Sequence, residues 1–309
     1  MNRESPRCPL CGSPESADHG AIPDNDFFAG RVLAHALSGG RLWSCRECDS
    51  MFRHPLLLPL EYSRLYEAGD ALQWSGVERR RDFQLVRAMI ESHPTANSIL
   101  DVGCGSGEFL ASLRPEIAKF GAEPSSGAAV FARDRGIDVL AATIDRVAET
   151  RRFDIITMID VIEHVVDPVS LLTQAYLRTA PGGFIIVSTG NPESWAWRRA
   201  FSSRFWYVSF PEHIRFPSFR FFNSWADQAG AAAVARSLTR YQSLTAIERG
   251  LGFAIQLGFA LSPAAFSALG RAVHALRGKP PPRRRRFSPG VPGVFTDHHI
   301  VTIRKPGPE

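Results

Sequence analysis

The stretch Ile99–Leu110 reads ILDVGCGSGEFL. Its apolar run closes on Asp101 and Val102, and Gly103, Gly105 and Gly107 follow at every second position. A strand that stops, turns tightly and hands over to a helix has this outline, because glycine tolerates the backbone conformations such a turn imposes. A triphosphate loop needs Gly-Lys-Ser/Thr at its end, but Gly107 is followed by Glu108. A dinucleotide loop of the form G-x-G-x-x-G needs its third glycine at 108 or 110, where Glu108 and Leu110 stand. A carboxylate at the opening of the helix also repels a pyrophosphate. The turn suits a ligand without phosphate.

Working outward, the run IAKFGAEPS (117–125) reads as a second strand closing on Glu123. A carboxylate at that point can accept both hydroxyls of a ribose. Asp101 and Asp160 end the first and fourth strands beside the turn, positioned to face an ammonium group. With Gly103, Cys104, Gly105 and Gly107 lying against an adenosine and an amino-acid tail, this set fits S-adenosylmethionine better than a nicotinamide cofactor.

From residue 98 onward short apolar runs alternate with helical segments. IDVLAA, FDIITMID, GGFIIVSTGN, AAVARSLTR and HHIVTIRK read as the further strands. Upstream, RRDFQLVRAMIESH (80–93) places Phe83, Val86 and Ile90 on one helical face. Ser218 is the expected N-cap and Gly230 the expected stop of a later helix. Strands alternating with helices predict an α/β fold with a doubly wound, seven-stranded sheet and its ligand at the carboxyl ends of the strands.

Four of the five cysteines form two C-x-x-C pairs, Cys8 with Cys11 and Cys45 with Cys48. Two such knuckles supply the tetrahedral sulfur cage that zinc prefers. Four thiolates leave no open position, so the expected role is a structural zinc that folds a segment too small for its own core. The expected organisation is a zinc ribbon over 1–54, a connector and packing helix over 55–95, and a catalytic domain over 96–309. That domain is expected to carry a helical insertion at about 246–278.

Taken together, ILDVGCGSGEFL, GAEPSS, FDIITMIDVIEHVVDP and PGGFIIVSTGNP resemble a class I S-adenosylmethionine-dependent methyltransferase over roughly 98–305. The resemblance implies a Rossmann-like, mostly parallel sheet whose seventh strand is antiparallel and lies beside the fifth. With the ribbon and FPEHIRFPS (210–218), the chain further resembles the group that includes zinc-binding sugar methyltransferases. In that group a Tyr-x-Glu-His element carries catalysis. Glu212 and His213 match it, and Phe210 stands where the tyrosine would be.

Methyl transfer requires alignment, exclusion of water and removal of the acceptor's proton. His213, with Glu212 beside it, and His164, just after the fourth strand, are the candidate catalytic residues. Glu163 reads as a structural anchor. Between Trp195 and Trp225 lie twelve of the chain's aromatic residues, read mostly as packing, with Trp195, Trp197 and Tyr207 assigned to the acceptor side. The expected partner is a small-molecule acceptor: a sugar, a nucleotide sugar, a lipid-linked glycan or a phenolic intermediate. The alternative is an RNA methyltransferase with the ribbon as its RNA-binding module. The ribbon lacks basic residues interleaved with aromatics, which argues against nucleic acid.

The formal net charge is +5, and much of the excess sits in RGKPPPRRRR (277–286). The N-terminus MNRESPRCPL has no apolar core, which reads as a cytoplasmic chain without a secretory signal. An uncharged run at 250–270 is divided by Pro263 into pieces too short to span a bilayer. Residues 250–286 are therefore expected to pack beside the sheet or to touch the inner face of the membrane peripherally.

Overall fold

Burial along the central strands splits by residue parity. The computed structural model describes residues 5–28, 31–68, 80–266, 268–269 and 293–307. Ile99, Ile155, Ile186 and Ile300 enter one core, and their neighbours Leu100, Ile156, Val187 and Val301 enter another on the opposite face. Side chains alternate along a strand, so a continuous apolar run forms a sheet buried on both faces.

The N-terminal region supplies β1 (Ser16–Ala21), β2 (Asn25–Phe28), β3 (Arg31–Leu37), β4 (Arg41–Cys45) and β5 (Met51–His54). Helices α1 (Pro59–Ala68) and α2 (Arg81–Glu91) follow. Then come β6 (Ser98–Val102), α3 (Glu108–Ala111), β7 (Ala118–Ala122), α4 (Ser126–Asp134), β8 (Asp138–Ala141), β9 (Phe153–Ile159), α5 (Pro168–Arg178) and β10 (Thr179–Gly190). The chain closes with β11 (Arg215–Phe216), α6 (Phe219–Gln228), β12 (Ala233–Thr239), α7 (Ala246–Leu261) and β13 (His298–Arg304).

The large sheet has the order β12-β13-β10-β9-β6-β7-β8. Strands β6 to β10 pair in parallel, and β13 runs antiparallel between β10 and β12. This is the doubly wound, seven-stranded, mostly parallel arrangement anticipated from the motifs. Residues of α2, α3 and α4 fill one core, and those of α5 and α6 fill the other. Ser218 caps α6 by accepting from the Phe221 amide, and Gly230 takes the left-handed conformation just beyond its end.

One pairing has no signal in the sequence. The ribbon strands β1, β4 and β5 form a second sheet, and its fourth strand is β11 from the far end of the chain. Arg215 pairs with Phe52 and Phe216 with Met51. Beneath this sheet a third core joins Leu42 and Met51 to Trp197, Phe205, Tyr207, Phe210 and Phe216. Ten of the twelve aromatics between 195 and 225 are buried, so the concentration is mainly packing. Trp197, assigned from the sequence to the acceptor side, is wholly buried against Phe205, Tyr207 and Phe216; Trp195 is exposed.

Candidate active site

The three loop glycines are explained by backbone geometry. Gly103, Gly105 and Gly107 all have positive φ, 72°, 54° and 78°. A Cβ on Gly103 would lie 2.6 Å from Val161 Cγ2, and one on Gly107 would meet Ala132 Cα at 3.1 Å. At Gly105 a Cβ would meet nothing within 4 Å, so the turn leaves open space at its crest. The Glu123 carboxylate accepts from the amides of Gly105 and Ser125, each at 2.8 Å, and so ties the end of β7 to the turn. Burial raises its pKa against the pull of those two amides. Asp101 lies below, buried, and accepts from Thr157 Oγ1 at 2.7 Å. Burial, reinforced by the charge of Glu123, pushes Asp101 up to about 7. Cys104 is buried, and its Sγ would lie 2.5 Å from a Cβ on Gly121. A turn of glycine backbone with the Glu123 carboxylate tied to its crest and the buried acid Asp101 under it is the chemistry an adenosyl ligand with an ammonium group would need.

Val161, which touches Gly103, opens the segment after β9 that carries the second half of the site. Asp160 sits there at φ 54° and is held at 2.9 Å by the Arg80 guanidinium. Arg80 also grips Asp82 and lies 4.2 Å from the ring centroids of both Phe83 and Tyr241. Asp160, read from the sequence as facing an ammonium group, is thus already in an ion pair. Neither Arg80 nor Asp82 was singled out in the sequence. The available signal was spacing: Asp82, Val86 and Ile90 stand four apart, so one charge falls on the buried face of α2.

Glu163 and His164 end a 3-10 turn over Ile162–His164. Glu163 is fully buried, accepts from Thr189 Oγ1 at 2.9 Å and takes the Tyr207 hydroxyl in a very short hydrogen bond. Its backbone oxygen accepts from the Ile214 amide at 2.8 Å, which brings the 209–216 segment against the turn. His164 and His213, far apart in sequence, meet with ring centroids 4.7 Å apart. One nitrogen of each histidine and a Glu163 oxygen all lie within 4.8 Å of one another. The Tyr66 hydroxyl lies 3.0 Å from His164 Nδ1. His213 Nδ1 lies 2.6 Å from the Tyr207 carbonyl oxygen, which only accepts. Nδ1 therefore carries the proton, and Nε2 is the basic nitrogen of neutral His213. Glu212 accepts from Ser209 Oγ at 3.0 Å. The Tyr207 ring seats 4.2 Å from the His213 centroid and leans on Gly190, where a Cβ would lie 2.3 Å from Tyr207 Cε1.

Burial, aided by the charge of Asp160, pushes Glu163 up to about 8. The folded protein then holds a proton on Glu163 that the unfolded chain has released above the model-peptide range near 4.5. Stability from this group is full at acid pH and is lost as pH rises toward 8. Thermal midpoints recorded from pH 5 to 8.5 are expected to fall more steeply for the natural protein than for Glu163→Gln. Parallel slopes would remove Glu163 as the source.

At the ribbon, Cys8 and Cys48 sulfurs lie 3.7 Å apart and those of Cys11 and Cys45 3.5 Å apart. All four fall within 4.8 Å of one another. Zinc–sulfur bonds near 2.3 Å set tetrahedral sulfur edges of roughly 3.8 Å, which this cluster matches.

Comparison with known proteins identifies a family. A methyltransferase-domain family profile matches residues 76–236, more than half of the 309. The ubiquinone biosynthesis O-methyltransferase of Serratia proteamaculans is 34% identical over 112 residues, 33% of this chain and 46% of that protein. The protein of the same name from Sodalis glossinidius is 36% identical over 110 residues, 32% of this chain and 44% of its own. The chain spans less than half the length of these relatives. Among solved structures, N-methyltransferase NodS from Bradyrhizobium japonicum, in complex with S-adenosyl-L-homocysteine, aligns with a TM-score of 0.46 at 12% identity. That alignment covers 80% of this chain and 97% of NodS.

Proposed function

Because the chain belongs to the methyltransferase-domain family, we propose that it transfers a methyl group from S-adenosylmethionine to a small-molecule acceptor. The observation that carries this reading is the meeting of His164 with His213, on a turn where the His164 amide donates to the carbonyl of Val161, the residue whose side chain lies against Gly103. The cofactor, when bound, supplies an electrophilic methyl on a sulfonium. Glu123 would hold the ribose hydroxyls, and the backbone of Gly103, Cys104, Gly105 and Gly107 would line the adenosine and its tail. Asp101 would face the ammonium group, with Asp160 held beside it by Arg80. His213 Nε2 would take the acceptor's proton, with Nδ1 held by the Tyr207 carbonyl and with His164 and Glu212 completing the acceptor side. Glu163 anchors the two segments. The aromatic wall from Phe201 to Phe216 would exclude water.

The four ribbon sulfurs would hold a structural zinc, supported by the paired spacing and the sulfur separations. The resemblance to zinc-binding sugar methyltransferases and the names of the curated relatives favour a sugar or a phenolic hydroxyl as acceptor. The test is a panel of nucleotide sugars, phenols and RNA incubated with labelled cofactor. Label on a sugar or phenol is the expected result, and label on RNA alone would replace this acceptor class. Glu123→Ala is expected to weaken cofactor binding by roughly 1–3 kcal/mol, the scale of hydrogen bonds to a charged group. Calorimetry that finds NAD bound and no sulfonium compound bound would overturn the cofactor reading.

A further inference from the structure

Charge in this protein gathers in two places. The basic run at 277–286 lies outside the described residues, and among the described ones no helix is long and apolar enough to cross a membrane. The other gathering is buried, at the carboxyl edge of the large sheet. There β13 begins: His298 pairs with Gly190 at the end of β10 and with Thr239 at the end of β12. Asp297 and His298 are both fully buried. One oxygen of the Asp297 carboxylate lies 2.9 Å from His298 Nδ1, and the other accepts from Trp206 Nε1 at 2.7 Å. The Asp297 carbonyl accepts from the Asn191 amide at 2.7 Å, which pins the pair just beyond the end of β10.

None of the roles assigned to the site uses this pair, and stability does not explain it. His298 Nε2 is buried and has no hydrogen-bond partner among the described residues. An unmet buried polar group costs about 1–3 kcal/mol, which an apolar ring at that position would avoid. Burial pulls the imidazole pKa down, but the hydrogen bond and charge of Asp297, with Asp160 and Asp82 adding theirs, leave it raised. The ring meets Tyr207 edge-on, with centroids 4.7 Å apart. Its other aromatic neighbours are Tyr241 at 4.9 Å and Trp206 at 5.9 Å. Tyr207 thus touches two histidines, His298 and, at 4.2 Å, His213.

We propose that Asp297 and His298 are a positioning pair for methyl transfer: through Trp206 and Tyr207 they fix the carbonyl that holds His213 Nδ1, and so keep Nε2 available to the acceptor. This rests on the reading of His213 as the base. The chain of contacts is short. Asp297 bonds the Trp206 indole, His298 packs on Tyr207, and the Tyr207 carbonyl lies 2.6 Å from His213 Nδ1. The same two residues are tied elsewhere. Gln256 accepts from the Trp206 amide at 3.1 Å, and the Tyr207 hydroxyl donates to Glu163 and, at 3.3 Å, to Asp160. Residues 206 and 207 therefore have little freedom while the pair is intact. An aspartate suits position 297 because it offers two acceptor oxygens at once. An asparagine offers one, so it can accept from the indole or from His298 but not from both.

Nitrogen NMR of the full chain labelled with 15N-histidine reads the tautomer of His213 directly, its signals assigned by their loss in His213→Ala. In the natural protein Nδ1 is expected to carry the proton. Asp297→Asn and His298→Phe are each expected to give a mixture of the two tautomers. Both should lower label transfer to the panel of nucleotide sugars and phenols by roughly 10–100-fold, the scale of a displacement of about 1 Å. Cofactor affinity by calorimetry should stay nearly unchanged. A merely structural role would lower the melting point and leave the tautomer as it was. If either substitution unfolds the chain, Trp206→Phe is read in its place, because it keeps both members of the pair and removes one donor to Asp297; a mixed tautomer and a smaller loss of transfer are expected. A His213 tautomer unchanged in every folded variant overturns the proposal. So does transfer at the natural rate, or cofactor affinity that falls in step with transfer. The tautomer is read without acceptor or cofactor, so a panel that takes no label counts against the methyl-transfer reading and not against the pair.

Discussion

His213→Ala lowers turnover by roughly 10²–10⁴-fold and leaves cofactor affinity nearly unchanged; this is the expected result of single-turnover kinetics and calorimetry run side by side. The magnitude is that of a lost general base. The selectivity follows from position. The glycine turn and Glu123 belong to β6, β7 and the loop between them, whereas His213 arrives on the 209–216 segment from the other end of the domain. The carbonyl of Tyr207 fixes the tautomer, so an asparagine at 213, which lacks a basic nitrogen, is expected to be as poor as alanine. Because the two rings sit 4.7 Å apart, His164→Ala is the necessary companion. If it alone reproduces the loss, the base is His164 and His213 positions it. If neither variant slows transfer with an acceptor of neutral-pH hydroxyl character, the histidine assignment is wrong.

The second large effect is expected from the ribbon. Cys8→Ser with Cys11→Ser should lose one zinc per chain by elemental analysis, unfold the N-terminal segment and reduce methyl transfer by at least about 100-fold. The reason lies in the pairing of β5 with β11. Cys48 is three residues from β5, and its carbonyl accepts from Ser218 Oγ, the cap of α6. Ser50 Oγ accepts from the Ser218 amide at 3.0 Å, and the Arg53 amide donates to the Ile214 carbonyl at 3.0 Å. His213 is therefore held one residue away from a backbone bond to the ribbon. Without metal the cage is a cluster of crowded thiols; burial pushes Cys11 up to about 12, and Cys48 is raised as well. A bound metal would have to displace those protons, which would couple folding of this segment to the ion. Hydrogen exchange should show protection lost over 8–54 and over 209–218 together, with the amides of β6 and β7 still protected. A metal-free protein that keeps an ordered, protected N-terminal segment would reject the zinc assignment. Loss of zinc with full transfer would confine the ribbon to a remote role.

What the sequence determined by itself is local and periodic. The alternation of Ile99 with Leu100 and of Ile186 with Val187 specifies strands buried on both faces, because one-residue steps on a pleated strand point to opposite sides. The glycines at 103, 105 and 107 announce a turn because each position needs positive φ, a condition set by the residue itself. The spacing within CPLC and CREC brings two sulfurs of each pair together for the same local reason.

Only the tertiary structure decided what lies across long loops. It placed β11 on the ribbon sheet, sheathed Trp197 in the core, and turned His164 and His213 from two separate candidates into adjacent rings. It also set Arg80 between Asp82 and Asp160, and Tyr207 against Glu163. These contacts join residues tens to more than a hundred positions apart or charges buried against the hydrophobic pattern. No periodicity along the chain records them, because the free energy that stabilises them arises only when the sheet, the ribbon and the aromatic segment close on one another and exclude water.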